Sequence, residues 1–442
     1  MADALLTRLL RLRERPAPER VVLVLAGLAG LVTLWNVAVY PSGLGYDAAS
    51  HREYADFLIQ HHRLPHRNET PEYYSPPLYY LLAGAADWIG RQISLGDPHK
   101  LGQVLNIPAV AAAVLLTAAL ARLLWPRRPW LAPAAAGFVA LSPVLERTAA
   151  MFHPEPLDLA LGALAGWLAA RILVRRNGSV RAALALGAVL GLAQMVRQFA
   201  LYVLATVVLA WLAALWRRPQ DRTALARSLA VALAAVVVLA GPWYAYRAAH
   251  YGNAVFDRPH PTEPLWERRP ASFYLGSGLP DVLTSPYRPN FVNRAWPQTY
   301  SDIWGDWYGV FAWQLRDERP SGAVTDWLTA QTLLGIVPTA LALAGWLVLL
   351  AAGLRRRSAR LLLVGLLPLA GLAGYFYFAI GYPTPDGDVL KPTFMLATLW
   401  AWALCFARAA CWCAERAPRA TAWTLGLLAL ADLPFLIYRG PF

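Results

Sequence analysis

The chain has 442 residues, 57% of them hydrophobic and only 15% charged, a composition that excludes an ordinary soluble domain of this size. Its 40 Lys and Arg against 27 Asp and Glu give a formal charge of +13. The basic residues gather in short loops on one side of the apolar runs, so membrane orientation and anionic lipid account for the excess and no nucleic-acid partner is expected.

The apolar runs approach or reach the roughly 20 residues that cross a bilayer as a helix, and none alternates in the manner of a β-barrel strand. The expected fold is an all-α polytopic membrane protein with about eleven transmembrane helices. A basic amphipathic stretch, residues 5–15, lies on the cytoplasmic surface, and residues 21–40 cross outward as an uncleaved anchor.

The first outer loop, residues 41–103, carries Asp47, His51, Glu53, Asp56, His61, His62, His66 and several tyrosines, among them Tyr74 and Tyr79. A connector needs no such chemistry. If Asp47 starts a helix, its carboxylate caps it or sits in the first turn, on the same face as His51. Ser75-Pro76-Pro77 ends that segment and begins a second amphipathic one, residues 78–93, with its apolar side in the headgroup layer.

Residues 104–125 return inward and 131–145 go out again. A short outer turn over residues 146–155 holds His153 and Glu155, and 157–174 re-enter. Residues 182–195 are short for a span and meet Arg197-Gln198 before 199–216 continue. One long helix or a hairpin fits this pattern. The hairpin is preferred, because Arg181 and Arg217-Arg218 then share the cytoplasmic side and Arg197 sits at the outer tip, where it binds phosphate or merely snorkels to the interface.

After residues 229–246 comes a Trp-, Pro- and Gly-rich segment, 247–326, too long for a connector and read as a small extracytoplasmic cap. Residues 327–354 and 361–380 follow, then an outer turn with Asp386, Asp388 and Lys391, and finally spans at 392–411 and 421–438. The chain thus divides into an N-terminal membrane module (1–246), the cap (247–326) and C-terminal helices (327–442). Cys405, Cys411 and Cys413 supply no disulfide framework for the outer loops, and neither they nor the loop histidines have the spacing of a metal-ligand set, so no metal ligands are assigned.

Asp47, His51, His153, Glu155, Arg197, Asp386, Asp388 and Lys391 all emerge on one outer face. Carboxylates, cations and aromatic walls at a membrane surface suit sugar transfer from a polyprenyl-phosphate carrier to a hydroxyl acceptor. That reaction needs a base for the acceptor proton, cations for the leaving phosphate, an apolar groove for the carrier and rings on which sugars stack. A polytopic secondary transporter, or a transporter of lipid-linked substrates without transferase activity, also buries charge among helices and is the alternative; internal repeats and broken helix pairs, the usual marks of secondary transporters, are not evident.

The first span, the acid opening the outer loop, the run HREYADFLIQHHRLP and the Pro-Pro-Leu-Tyr-Tyr element resemble the GT-C superfamily of lipid-phosphate-sugar glycosyltransferases. The likeness is to bacterial members related to protein O-mannosyltransferases and to aminoarabinose transferases acting on lipid A. It extends to the short span before Arg197 and to the late outer loop ahead of Lys-Pro-Thr-Phe-Met-Leu.

The resemblance implies a hexosyl- or pentosyltransferase of the cell (inner) membrane, its N-terminus cytoplasmic and its site extracytoplasmic. The donor would be a polyprenyl-phosphate-linked sugar and the acceptor a glycan, lipid or protein. It implies Asp47 as catalytic base or acceptor-orienting group. Many members carry Asp-Glu where this chain has Asp47-Ala48, so Glu155 and Asp386 are the candidates for a second carboxylate. Arg197 and Lys391 would hold the phosphate, with Gln198, Asp388, His51, His153, Tyr74 and Tyr79 as further substrate contacts. Some members bind a divalent metal and others do not, so the resemblance leaves that cofactor open and requires none.

Overall fold

In the computed structural model, residues 16–175, 178–255, 262–313, 319–384 and 387–440 are described, and among them the secondary structure is helical throughout, with no strand. Eight helical segments are long and apolar enough to cross a membrane: Ala17–Val39, Lys100–Leu124, Glu155–Arg175, Gln198–Arg217, Pro219–Tyr251, Gly322–Arg355, Ala359–Gly381 and Pro392–Arg416. The three remaining expected crossings coincide with shorter helices, Leu131–Ala140, Val180–Val196 and Pro418–Asp432.

The first helix, α1 (Ala17–Val39), shows why these segments fold as they do. Pro18 stands at its start, where a missing N–H is harmless. Val22, Ala26, Ala29, Thr33, Asn36 and Val37 form its buried stripe, while Val24, Leu31, Leu34 and Trp35 on the other side remain exposed. An apolar outer face beside an apolar inner stripe is stable only in lipid. Small residues then bring helices together closely. A methyl group on Gly187 would run into the Ala232 carbonyl oxygen, and one on Gly345 into that of Cys405.

Two amphipathic helices follow α1: α2 (Ala48–His61) and α3 (Leu78–Gln92). The latter buries Tyr79, Tyr80, Ala83 and Asp87 and exposes Leu81, Leu82, Trp88 and Ile89, the division expected of a helix lying in an interface. A short turn of helix, α4 (Lys100–Val104), leads into α5 (Asn106–Leu124).

The expected single span at 131–145 breaks at Leu141-Ser142, and α6 (Leu131–Ala140) is followed by α7 (Pro143–Ala150). The first half of the outer turn expected over residues 146–155 is therefore the end of a buried helix, and only residues 151–154 turn. Thr33 Oγ1 donates to Glu146 Oε2 at 2.9 Å, and Arg147 donates to the carbonyls of Asp302 and Gly305. Polar residues were read as a turn there; tertiary partners satisfy them instead.

Helices α8 (Glu155–Arg175), α9 (Val180–Val196) and α10 (Leu201–Arg217) form the hairpin arrangement. Arg218 Nη1 donates to the Leu173 carbonyl at 3.0 Å, so α10 returns to the end from which α9 departs. The long α11 (Arg222–Tyr251) packs along α9.

Within the described part of 247–326, three short helices occur: α12 (Ala271–Leu275), α13 (Asp281–Thr284) and α14 (Ala295–Trp304). They are folded into the end of the bundle. Tyr46 Oη donates to Asp302 Oδ2 at 2.6 Å, and Trp307, Tyr308 and Phe311 pack with Tyr40, Tyr46 and Tyr438. The expected span at 327–354 is two helices, α15 (Gly322–Leu334) and α16 (Ile336–Arg355), joined at Gly335, where the Trp304 ring fills the space a side chain would need. Helices α17 (Ala359–Gly381), α18 (Leu399–Arg416) and α19 (Pro418–Asp432) complete the bundle.

Candidate active site

The chain leaves α1 through Gly45, at φ 110° and tight against Met151, and enters α2 at Asp47 in the left-handed region, φ 48° and ψ 9°. Asp tolerates that conformation better than most residues, yet it stores strain, and such strain collects at functional sites. Asp47 occupies the cap position of α2, but its side chain makes no capping bond. The carboxylate turns instead to Lys391 Nζ, 3.1 Å from Oδ1 and 2.9 Å from Oδ2. The lysine side chain is 5% exposed and the aspartate 34%, so the acid is the member of the pair open to the cleft.

Arg197 stands in extended backbone between α9 and the 3-10 turn Gln198–Ala200. Its Nε donates to Glu155 Oε1 at 2.6 Å and its Nη1 to Ser75 Oγ at 3.0 Å, with Glu72 Oε2 at 3.5 Å. The guanidinium also lies over the rings of Phe199 and Phe394. Glu155 contacts His153 as well. Glu72 accepts from Ser75 Oγ at 2.5 Å and from Tyr74 Oη at 3.2 Å. His51 Nδ1 is 2.8 Å from Tyr80 Oη and 3.8 Å from Glu72 Oε2, and its ring meets His153 edge-on at 4.6 Å.

These contacts fix the charge states of the loop residues. Burial alone would raise the Asp47 pKa, but the Lys391 ammonium beside it holds the carboxyl well below the usual carboxylate range. Burial pushes the His51 imidazole far down, and the neighbouring His153 and Arg197 push it further. Burial, joined by the charge of Asp47, raises Glu72 against the pull of Arg197. An ionised Asp47 therefore sits above a neutral histidine and beside a carboxyl that gives up its proton reluctantly.

A cavity of about 150 Å3 opens among Asp47, Tyr74, Arg197, Gln198, Asp388 and Lys391, and Glu72 also lines it. Six of the residues anticipated from sequence thus meet at one place. Gln198 Oε1 accepts from Arg247 Nη1 at 2.9 Å, and Asp388 lies 3.7 Å from Arg288 Nη1. His51, His153 and Glu155 are fully buried in the layer behind the cavity. Tyr79 does not reach it, because its ring is packed edge-on against Tyr80 and Phe152. Asp386 lies outside the described residues.

Sequence reasoning passed over Glu72. The available signal was an acid in the run Pro71-Glu72-Tyr73-Tyr74-Ser75, with no charged neighbour to make a solvated face.

A divalent metal at this cavity fits the donor set poorly. Asp47 is matched by Lys391, and Glu72 and Glu155 by Arg197, so a metal ion would have to displace a cation of the chain from each of these carboxylates.

Residues 86–243 match the family model described as dolichyl-phosphate-mannose-protein mannosyltransferase. No curated protein sequence matches the chain. Among solved structures, the apo oligosaccharyltransferase of Archaeoglobus fulgidus superposes with a TM-score of 0.59 at 15% identity, covering 96% of this chain and 57% of that one. The same organism's oligosaccharyltransferase AglB, in complex with an inhibitory peptide and a dolichol-phosphate, gives 0.54 at 15% identity over 95% and 56%. ArnT from Cupriavidus metallidurans bound to undecaprenyl phosphate gives 0.48 at 14% identity over 92% and 63%. The chain thus spans less than two thirds of the length of each of these proteins, and the archaeal superpositions show that it shares their fold.

Proposed function

We propose that this chain is a glycosyltransferase that moves a hexose or pentose from a polyprenyl-phosphate carrier to a hydroxyl of a glycan, lipid or protein acceptor. The observation that carries the reading is the Asp47–Lys391 pair facing one cavity with Arg197. An ionised carboxylate and a buried ammonium at that spacing match the two charges such a reaction needs.

The acceptor oxygen attacks C1 of the sugar and its proton passes to Asp47. The bond between C1 and the phosphate oxygen breaks, and the carrier phosphate leaves with the electron pair. Lys391 links the two events. In the free protein it lowers the basicity of Asp47; a bound donor phosphate competes for the ammonium and returns basicity to the carboxylate when the substrate is in place. Arg197, already facing Glu155 and Glu72, supplies a weaker positive rim. The match to the mannosyltransferase family model and the superposition on oligosaccharyltransferases support the same reading.

The site would lie on the extracytoplasmic side of the inner membrane, with the N-terminus cytoplasmic. Arg175, Arg217, Arg355, Arg356 and Arg416 at helix ends remote from the cavity support that orientation.

The test is acceptor-dependent release of polyprenyl phosphate from lipid-reconstituted protein supplied with radiolabelled polyprenyl-phosphate sugars. Release together with labelled acceptor is the expected result. Donor carried across the bilayer with its sugar still attached would favour the transporter reading instead.

A further inference from the structure

Away from the cavity, where α2, α3 and α4 meet, three side chains converge that the proposed reaction does not use. Asp56, Asp87 and His99 each offer one donor atom within 4.8 Å of the other two. His99 Nε2 is 3.1 Å from Asp56 Oδ2, and its Nδ1 is 3.3 Å from Asp97 Oδ1. Asp56 Oδ1 is held by Arg91 Nη2 at 2.5 Å. Asp87 is 1% exposed; its Oδ1 accepts the Gly102 N–H at 3.1 Å, and its Oδ2 is buried with no hydrogen-bond partner.

A buried carboxylate oxygen with nothing to bond is expensive, and here it belongs to a cluster that already holds a second acid and an imidazole. The arrangement has the parts of a transition-metal site. Donors about 2.0–2.2 Å from a tetrahedral ion stand roughly 3.2–3.6 Å apart, close to the His99–Asp56 spacing. Asp97 on the far nitrogen of His99 is the outer carboxylate that fixes the tautomer of a metal-bound imidazole. Oδ1 of Asp56 is held by Arg91, and an ion would replace the contact between Oδ2 and His99 Nε2, ligating both atoms.

We propose that Asp56, Asp87 and His99 form a structural site for a divalent transition-metal ion, of the zinc type, that ties α2 to α3 and to the start of α4. One imidazole and two carboxylates favour such an ion over magnesium or calcium, which take oxygen alone. The site holds α2 at a point about 13 Å along its axis from Asp47, so its effect on the cavity is to position that helix.

The experiment uses full-length protein in detergent, with Cys411→Ser and Cys413→Ser to remove thiol ligands, depleted by chelator and then given Zn2+ alone. Metal per chain after desalting and the melting temperature are the readouts. The parent should retain one zinc ion and melt higher with it. Asp87→Asn, which keeps the bond from Gly102, and His99→Gln should bind zinc roughly tenfold or more weakly and lose the melting shift. No retention by the parent, or full retention by both variants, overturns the site. Should the variants not fold, zinc X-ray absorption of the parent decides: an oxygen-rich shell with one imidazole supports the proposal, and any other shell, or no bound zinc, overturns it.

Discussion

Lys391 Nζ contacts both carboxylate oxygens of Asp47, at 3.1 and 2.9 Å, across 344 positions of sequence. The pair joins the start of the first amphipathic helix to the turn before the last long helical segment, and it is where the two halves of the bundle share a charge. Because the acid is partly open and the lysine buried, a ligand entering the cavity meets the carboxylate first.

Asp47→Asn keeps the shape of the side chain and removes its capacity to take a proton. Transfer should fall by about 10^2- to 10^4-fold, the usual contribution of a positioned base, while the donor phosphate, no longer competing with a carboxylate for Lys391, should bind at least as tightly as in the parent. Initial rates and carrier titration on the same reconstituted preparation check this, and an active variant would remove Asp47 from the chemistry.

Lys391→Met tests the coupling through pH. Burial raises the Asp47 pKa and Lys391 is the largest influence lowering it, so the variant's carboxyl must titrate at higher pH than the parent's. The basic form exists above the folded-state pKa and is lost as pH falls through it. The acid limb of the variant's residual activity should therefore move upward. The parent's stability advantage over the variant should be present above the ordinary Asp pKa and shrink as pH falls through the depressed one. Melting temperatures across an acid series measure the second effect, and an unmoved acid limb would count against the first.

Much of the bundle was legible in the sequence, because long apolar runs ending in Arg175, Arg217-Arg218 and Arg355-Arg356-Arg357 are a one-dimensional signal. What escaped depended on partners. Glu146 and Arg147 read as turn residues until Thr33 and Asp302 are placed beside them. Gly335 looks like any small residue until the Trp304 ring arrives. The left-handed backbone that turns Asp47 away from capping has no mark in its neighbours. Tyr74 and Tyr79 are alike by composition, and only packing shows that one faces the cavity and the other Phe152. Glu72 was hidden because the cation that faces it, Arg197, lies far along the chain.

Arg197→Ala should affect stability before it affects donor binding. The guanidinium faces two buried carboxylates, Glu155 at 2.6 Å and Glu72 at 3.5 Å, and its removal leaves both without a cation. Breaking such a buried pair costs about 3–5 kcal/mol. The double variant Arg197→Met with Glu155→Gln removes charge from both sides and should recover much of that loss. Thermal unfolding in detergent checks both, and a stable single variant with weakened carrier binding would make Arg197 chiefly a phosphate ligand.

Glu72→Gln separates two roles for the acid that sequence reasoning missed. As a buried carboxyl whose pKa burial raises, Glu72 keeps its proton to higher pH than an exposed glutamate. When ionised it opposes an incoming phosphate and partly neutralises Arg197. The amide has similar shape, still accepts from Ser75 or Tyr74, and carries no charge, so the carrier should bind a few-fold more tightly to the variant at neutral pH. Protonation makes the parent resemble the variant, so the difference must shrink as pH falls through the raised Glu72 pKa, while Asp47, held low by Lys391, stays ionised over the same range. Calorimetric titration with polyprenyl phosphate at several pH values reads both trends. Weaker binding at every pH would instead make Glu72 a direct contact of the donor.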